Sequence, residues 1–153
     1  MKGSVESEFR PAVASDLLKI GRLVREFYHK VGGVYGIEYS HDDAMNLISG
    51  LIARGICLVG PTSCAGALVM PFPYNNKAQV AYVAFWYFQE SREIRIFEEL
   101  LRRCAAAGAT HVSAASHFPH NRIARWYLKL GLHPVEGQFC RALNSACIQP
   151  GAA

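Results

Sequence analysis

The segment 124–132 reads ARWYLKLGL, and this stretch near the C-terminus says most about the fold. With the isoleucine before it, its apolar residues recur at the spacing of one helix face: Ile123, Trp126, Tyr127 and Leu130. Gly131 follows, and glycine often ends a helix because it adopts a left-handed backbone without strain. The segment therefore predicts a short amphipathic helix that ends at Gly131.

The chain before this helix alternates between strand-like and helix-like segments. Apolar and β-branched runs predict strands at 8–13, 55–60, 65–70, 78–88 and 110–116. Helical spacing predicts a helix capped by Ser15, a second helix after the capping box at 40–43, and a third over 92–107 that Gly108 ends. Further strand-like segments follow the last helix, at 133–135 and 138–143.

Element order and composition both indicate one domain over residues 1–153, with a C-terminal tail at about 145–153. The order βααβββαβαβ predicts an α/β (α+β) fold, with helices packed on one central sheet. Of the 153 residues, 51% are hydrophobic and 18% charged, which is enough to fill one core. No apolar run approaches the roughly 18 residues of a membrane span, and the N-terminus lacks a signal-peptide pattern. We expect a cytoplasmic protein with no membrane partner.

The patterns of cysteines, histidines and charges argue against a disulfide framework, a metal site and nucleic-acid binding. The five cysteines include no C-x-x-C pair, so we expect free thiols at Cys57, Cys64, Cys104, Cys140 and Cys147. His117 and His120 have no carboxylate or thiol at matching spacing, so we expect no metal site. The net charge of +4 comes from dispersed lysines and arginines, so we expect no nucleic-acid partner.

Three motifs carry a resemblance over nearly the whole chain. Phe9-Arg10-Pro11-Ala12 opens it, Phe85-Trp86-Tyr87-Phe88 ends the longest predicted strand, and the segment 124–132 ends the last helix. With the element order, they resemble the GNAT superfamily of acetyl-CoA-dependent N-acetyltransferases, in particular the short single-domain proteins of bacteria and tailed phages. The resemblance implies a mixed, largely antiparallel sheet flanked by about four helices. It also implies a V-shaped opening between strands 78–88 and 110–116 for the coenzyme's pantetheine arm.

The resemblance also implies roles for particular residues. Tyr127 matches the tyrosine that protonates the departing thiolate, although its place on the apolar helix face equally suits a core residue. The pyrophosphate of acetyl-CoA, the expected co-substrate, would lie where the third helix begins, because a helix N-terminus offers unpaired N–H donors to an anion. The expected coenzyme contacts are Tyr87, Phe88, Gln89, Ser91, Arg92, Glu93, Ile94, His120 and Asn121.

The sequence departs from the family at the coenzyme junction and at the catalytic base. The segment 89–95 has no glycine, and its two glutamates would repel a pyrophosphate unless Arg92 and Arg95 offset them. Val83 stands where relatives often carry a glutamate base. Replacement bases would be His117, His120, Glu90 or Tyr82, or a water molecule.

Two functions therefore remain open. The first is transfer of an acetyl group to an amine of a small molecule or protein, the acceptor being unknown. The second is a GNAT-fold protein with weakened or lost coenzyme binding that serves as a structural or binding component, for example in a phage particle or virion. The aromatic run 82–88 lacks interleaved basic residues, so it favours a core, a pocket wall or a homodimer contact over base stacking.

Overall fold

The computed structural model describes residues 8–31, 37–116 and 122–135. Within these ranges the strands are β1 (Arg10–Pro11), β2 (Ile56–Val59), β3 (Ser63–Phe72), β4 (Asn75–Phe88) and β5 (His111–Ser113). The α-helices there are α1 (Leu17–Val31), α2 (His41–Arg54), α3 (Ile96–Ala106) and α4 (Arg122–Lys129). Short 3-10 helices lead into α1 at Ala14–Asp16 and into α3 at Ser91–Arg95.

The described strands form one mixed sheet in the order β1-β2-β3-β4-β5. Neighbours from β1 to β4 are antiparallel, whereas β4 and β5 are parallel. Helices α1 and α2 pack on one face of the sheet, and α3 and α4 on the other. The predicted α/β fold, with a largely antiparallel sheet and four helices, is confirmed.

Two clusters of buried side chains fill the space between the sheet and its helices. Phe97 and Leu100 of α3 are fully buried against one face. Ile20 of α1 and Ile48 of α2 are fully buried against the other. Because both faces are covered, β2 and the first half of β3 are buried on both sides, and their sequences read as continuous apolar runs.

Local signals in the sequence place the helix ends. The Ser40 side chain accepts a hydrogen bond from the Asp43 backbone N–H at 3.3 Å, which caps α2 as predicted. Gly108 and Gly131 have φ values of +91° and +81°, so both occupy the left-handed region just after α3 and α4. Only glycine adopts this conformation without strain, which is why these two helices end there.

An ion pair anchors the start of the chain to the first helix. Arg10 donates two hydrogen bonds to Asp16, at 2.7 and 2.9 Å, and the Val13 N–H donates a third at 2.9 Å. The hydrogen bond from Arg10 is the largest cause that lowers the pKa of Asp16 to about 2, although burial of the carboxyl opposes the shift. The FRPA segment therefore has a structural role in joining β1 to α1.

The structure differs from the sequence prediction at several element ends. Strand β5 covers three residues instead of 110–116, because the chain moves away from β4 after Ser113 and the ladder ends. Residues 133–135 form no strand, since they pair with no described strand and Val135 is 88% exposed. The strand-like segment 138–143 lies outside the described residues.

Candidate active site

The two parallel strands β4 and β5 separate and leave a V-shaped opening. They pair at Val80–His111, Ala81–Val112 and Tyr82–Ser113, and the pairing then stops although β4 continues to Phe88. The early end of the ladder agrees with the predicted opening between these strands. Its floor lies at the last pair, and its described walls are the rest of β4 and residues 114–116.

A bulge in β4 lies next to the point of separation. Gly66 of β3 pairs with Phe85, and the next residue, Ala67, pairs with Val83, so Ala84 has no counterpart on β3. A bulge bends its strand, increases the local twist and leaves one residue outside the ladder. The bend therefore contributes to the divergence of β4 from β5.

Tyr127 of α4 connects the two walls of the opening. Its hydroxyl oxygen accepts a hydrogen bond from Nε1–H of Trp86, in β4, at 2.7 Å. The hydroxyl donates in turn to the backbone carbonyl of Ala115, beyond β5, at 3.1 Å. Burial raises the pKa of Tyr127 to about 12, while the hydrogen bond from Trp86 acts in the opposite direction. The hydroxyl is thus protonated at neutral pH and lies beside the end of β4.

Aromatic rings hold Tyr127 in this position. The Phe97 ring centroid lies 5.1 Å from that of Tyr127 and 4.7 Å from that of Trp86. Phe88 stacks on Trp86 at 5.7 Å. Offset and tilted ring pairs of this kind stabilise one arrangement of the side chains. Tyr127 is therefore a core residue, 6% exposed, whose hydroxyl lies between Trp86 and Ala115.

The junction after β4 forms a 3-10 helix instead of the glycine-rich loop typical of the family. The Gln89 N–H donates to the Thr62 carbonyl at 3.1 Å, and the Glu93 N–H donates to the Glu90 carbonyl at 2.9 Å. The N–H groups of Ser91 and Arg92 precede this first helical bond and so have no acceptor within the helix. The helix itself therefore leaves these two N–H groups to another acceptor.

Glu93 faces the protein interior. Its carboxylate accepts hydrogen bonds from the Thr62 N–H at 3.1 and 3.0 Å and another from the Thr62 hydroxyl. Burial works against ionisation, but hydrogen bonding outweighs it and lowers the pKa of Glu93. The expectation that this charge faces a pyrophosphate is therefore corrected, because the side chain is 0% exposed. Glu90 is exposed and forms an ion pair with Arg92 at 2.8 Å.

The side chains of Tyr87 and Gln89 point towards α1, on the sheet face opposite Trp86. Gln89 donates to the Glu26 carboxylate at 2.8 Å, and Tyr87 lies 3.4 Å from the same oxygen. Lys30 also donates to the Tyr87 hydroxyl. A coenzyme on the α3 side could meet these residues only through their backbone. His120 and Asn121 lie outside the described residues.

A basic groove, which the sequence analysis did not predict, lies between α4 and the 3-10 helix that precedes α3. It has a volume of about 390 Å³ and is lined by Ile94, Arg122, Arg125, Trp126 and Lys129. Within the described ranges, none of its three cations forms an ion pair with a carboxylate. Their spacing on one face of α4 is the sequence signal that indicates such a site. Ile94, an expected coenzyme contact, lies on the opposite side of this groove.

Of the four side chains expected to replace the glutamate base, the structure describes Tyr82 and Glu90. Val83, at the position of the family's glutamate, packs against the α3 side of the core. Tyr82 is 36% exposed, and Glu90 already pairs with Arg92. His117 lies outside the described residues, as does His120.

Metal-ligating side chains, apolar helices and cysteines in the described part of the chain bear on other classes of site. The described residues contain no group of three or more metal-ligating side chains, and none of their helices is long and apolar enough to span a membrane. Cys57, Cys64 and Cys104 are free, buried thiols as predicted, whereas Cys140 and Cys147 lie outside the described residues. Burial raises the pKa of Cys57 to about 12 and that of Cys104 to about 11, so neither is a ready nucleophile.

Comparison with known proteins identifies the architecture. No protein-family model matches the chain, and neither does any curated protein. Among solved structures, a possible acetyltransferase from Clostridium difficile 630 superposes with a TM-score of 0.66 at 12% identity, over 89% of this chain and 96% of that one. The chain has the GNAT fold. This structural similarity supports the fold that the sequence resemblance implies.

Two further structures with this fold carry more specific descriptions. A predicted acetyltransferase from Clostridium acetobutylicum, solved with acetyl-CoA, has a TM-score of 0.64 at 15% identity and covers 89% of this chain and 94% of that chain. Glucosamine-6-phosphate N-acetyltransferase from Arabidopsis thaliana has a TM-score of 0.63 at 12% identity, with coverage of 89% and 97%. The GNAT fold is thus shared over nearly the full length of both proteins.

Proposed function

We propose that this protein transfers an acetyl group from acetyl-CoA to an amine. The observation that carries the proposal is the separation of β4 from β5 after Tyr82, with the Tyr127 hydroxyl connecting the two walls. Unpaired strand edges offer backbone groups to an extended ligand such as a pantetheine arm. Structures with the same fold include a protein solved with acetyl-CoA, which supports this choice of donor.

The reaction needs one proton removed and one supplied. The amine nitrogen attacks the thioester carbonyl carbon, the C–S bond breaks, and its electron pair stays on sulfur. Tyr127 gives its proton to that thiolate and recovers one from solvent after the products leave. The proton lost by the amine passes to water or to a base outside the described residues. A high pKa keeps Tyr127 protonated until the thiolate forms.

Positive charge near the opening favours the anionic coenzyme. Arg122, Arg125 and Lys129 line the groove together with Ile94, which belongs to the 3-10 helix Ser91–Arg95. Together they would hold the coenzyme's phosphates in place of a glycine-rich loop. Since Glu93 faces inward and Glu90 pairs with Arg92, the acidic residues of the junction oppose this binding less than their sequence suggests.

Calorimetric titration with acetyl-CoA tests the first half of this proposal. We expect binding that weakens with added salt, because phosphates meet arginines in a solvent-exposed groove. A coupled assay for free thiol, run with small polyamines, amino sugars and peptides, then tests acetyl transfer. Absence of binding at millimolar acetyl-CoA would reject the proposed function.

A further inference from the structure

The hydrogen bonds of Tyr127 have a fixed direction. An indole N–H can only donate and a backbone carbonyl can only accept. The Tyr127 oxygen must therefore accept from Trp86, at 2.7 Å, and must use its single proton for the Ala115 carbonyl, at 3.1 Å. No alternative assignment of donor and acceptor satisfies both contacts.

This direction matters because of where the two partners lie. Trp86 is on β4, beyond the bulge at Ala84, whereas Ala115 lies two residues past the end of β5. The proton of Tyr127 is consequently aimed away from β4 and towards the other wall of the opening. A sulfur atom between the two walls would meet the proton and not the oxygen lone pair.

We propose that Trp86 is a positioning residue whose indole N–H directs the Tyr127 proton across the opening. The inference rests on the proposed acetyl transfer. An arriving thioester sulfur replaces Ala115 as the acceptor, while Trp86 remains on the oxygen. When the C–S bond breaks and the proton moves to sulfur, Tyr127 becomes a phenolate. The bond from Trp86 then becomes charge-assisted and stabilises that anion.

Two substitutions separate this role from ring packing. Trp86→Phe keeps an aromatic ring against Phe97 and Phe88 but removes the N–H donor. Phe97→Leu disturbs the same ring cluster but leaves both hydrogen-bonding atoms in place. A packing role predicts similar kinetic effects for the two variants, whereas a positioning role predicts different ones.

Steady-state kinetics with acetyl-CoA and an accepted amine give the first readout. We expect Trp86→Phe to lower kcat by about 10-fold to 100-fold, because a hydrogen bond to a developing anion is lost, with KM for acetyl-CoA nearly unchanged. If Trp86 affects the rate only through the Tyr127 hydroxyl, its substitution should have no further effect once that hydroxyl is absent. The double variant Trp86→Phe/Tyr127→Phe should therefore be no slower than Tyr127→Phe alone.

The indole N–H signals give a second readout that needs no activity. The chain has two tryptophans, and the buried Trp126 Nε1 has no hydrogen-bond partner within the described ranges. In a ¹H–¹⁵N spectrum, Tyr127→Phe should move the Trp86 indole signal far more than the Trp126 signal. Trp86→Phe assigns the two signals by removing one of them.

The kinetic and spectroscopic results decide whether Trp86 positions the Tyr127 proton. Wild-type kcat in Trp86→Phe, additive losses in the double variant, or an unmoved Trp86 signal in Tyr127→Phe would overturn the positioning role. Equal losses of kcat in Trp86→Phe and Phe97→Leu would assign Trp86 to packing. If the wild type transfers no acetyl group, the proposed function fails, and Trp86 has no role in catalysis. The indole signal still decides whether Trp86 orients the Tyr127 hydroxyl.

Discussion

The Glu93 carboxylate holds the turn between β2 and β3 through Thr62, whose N–H lies 3.1 and 3.0 Å from its two oxygens. Glu93 is fully buried, so this contact joins the junction before α3 to the sheet from the inside. Gly60 makes the approach feasible, because a Cβ there would lie 2.9 Å from Glu93 Oε2 and 2.4 Å from Ser63 Oγ. A buried carboxylate thus organises the backbone at the place where the GNAT proteins that the sequence resembles usually have glycines.

Replacing this carboxylate should destabilise the protein. Glu93→Gln is expected to lower the free energy of unfolding by about 1–3 kcal/mol, since a neutral amide accepts the Thr62 hydrogen bonds less well and buries donors of its own. Because the folded pKa of Glu93 is lowered, its contribution is present above the ordinary value of 4.5 and is lost as the pH falls through the folded value.

Urea denaturation of Glu93→Gln and Glu90→Gln provides the comparison. Glu90 is exposed, so its substitution should change stability by about 0.5 kcal/mol or less. Equal stability of the two variants at neutral pH would show that the buried contact contributes nothing.

The ion pair at the start of the chain predicts a second dependence on pH. Asp16 has a pKa of about 2 in the folded protein against an ordinary value of 3.8. Asp16→Asn should therefore cost about 1–2 kcal/mol at neutral pH, a figure reduced because Arg10 is largely exposed. The difference from wild type should shrink as the pH falls from 3.8 towards 2.

Thermal unfolding across that acidic range measures this effect. Glu38→Gln, in an exposed stretch before α2, is the control and should leave the acid profile unchanged. A difference between Asp16→Asn and wild type that stays constant down to the lowest pH would contradict the role assigned to this carboxylate.

Local patterns predicted the helices and strands well, because caps, glycines and apolar spacing act within a few residues. The alternation of side chains along β4 could also have predicted which side chains face α1. Since neighbours in a strand face opposite ways, Tyr87 and Gln89 had to face away from Trp86 and Phe88. The inward turn of Glu93 was not predictable in this way, because it depends on Thr62, which is distant in the sequence.

The basic groove on α4 predicts an electrostatic contribution to coenzyme affinity. Arg125→Glu is expected to raise the Kd for acetyl-CoA about tenfold at low salt, because a negative side chain then faces the phosphates. The loss should shrink at high ionic strength. Calorimetric titration at two salt concentrations measures both effects.

Matched controls make this prediction specific. Arg22→Glu changes the net charge equally but lies on an exposed part of α1, so it should leave the Kd nearly unchanged. An acetyl-pantetheine thioester without nucleotide phosphates should bind Arg125→Glu and wild type equally. A similar loss of affinity in both charge reversals would show that net charge acts, and not the groove.

The hydroxyl of Tyr127 predicts a loss confined to the chemical step. Tyr127→Phe keeps the ring that packs on Phe97, at 5.1 Å, and removes the hydroxyl proton that is proposed to reach the leaving thiolate. General acid catalysis typically contributes about 100-fold to 10,000-fold, so kcat should fall within that range. The Kd for acetyl-CoA should stay nearly constant, because the hydroxyl acts in the transition state and not in ground-state binding. Tyr82→Phe, at a residue that is 36% exposed, is the control and should leave kcat unchanged, because the amine's proton is expected to pass to water or to a base outside the described residues. Full turnover in Tyr127→Phe, with unchanged coenzyme affinity, would leave this tyrosine as a core residue alone and require another proton donor at the opening.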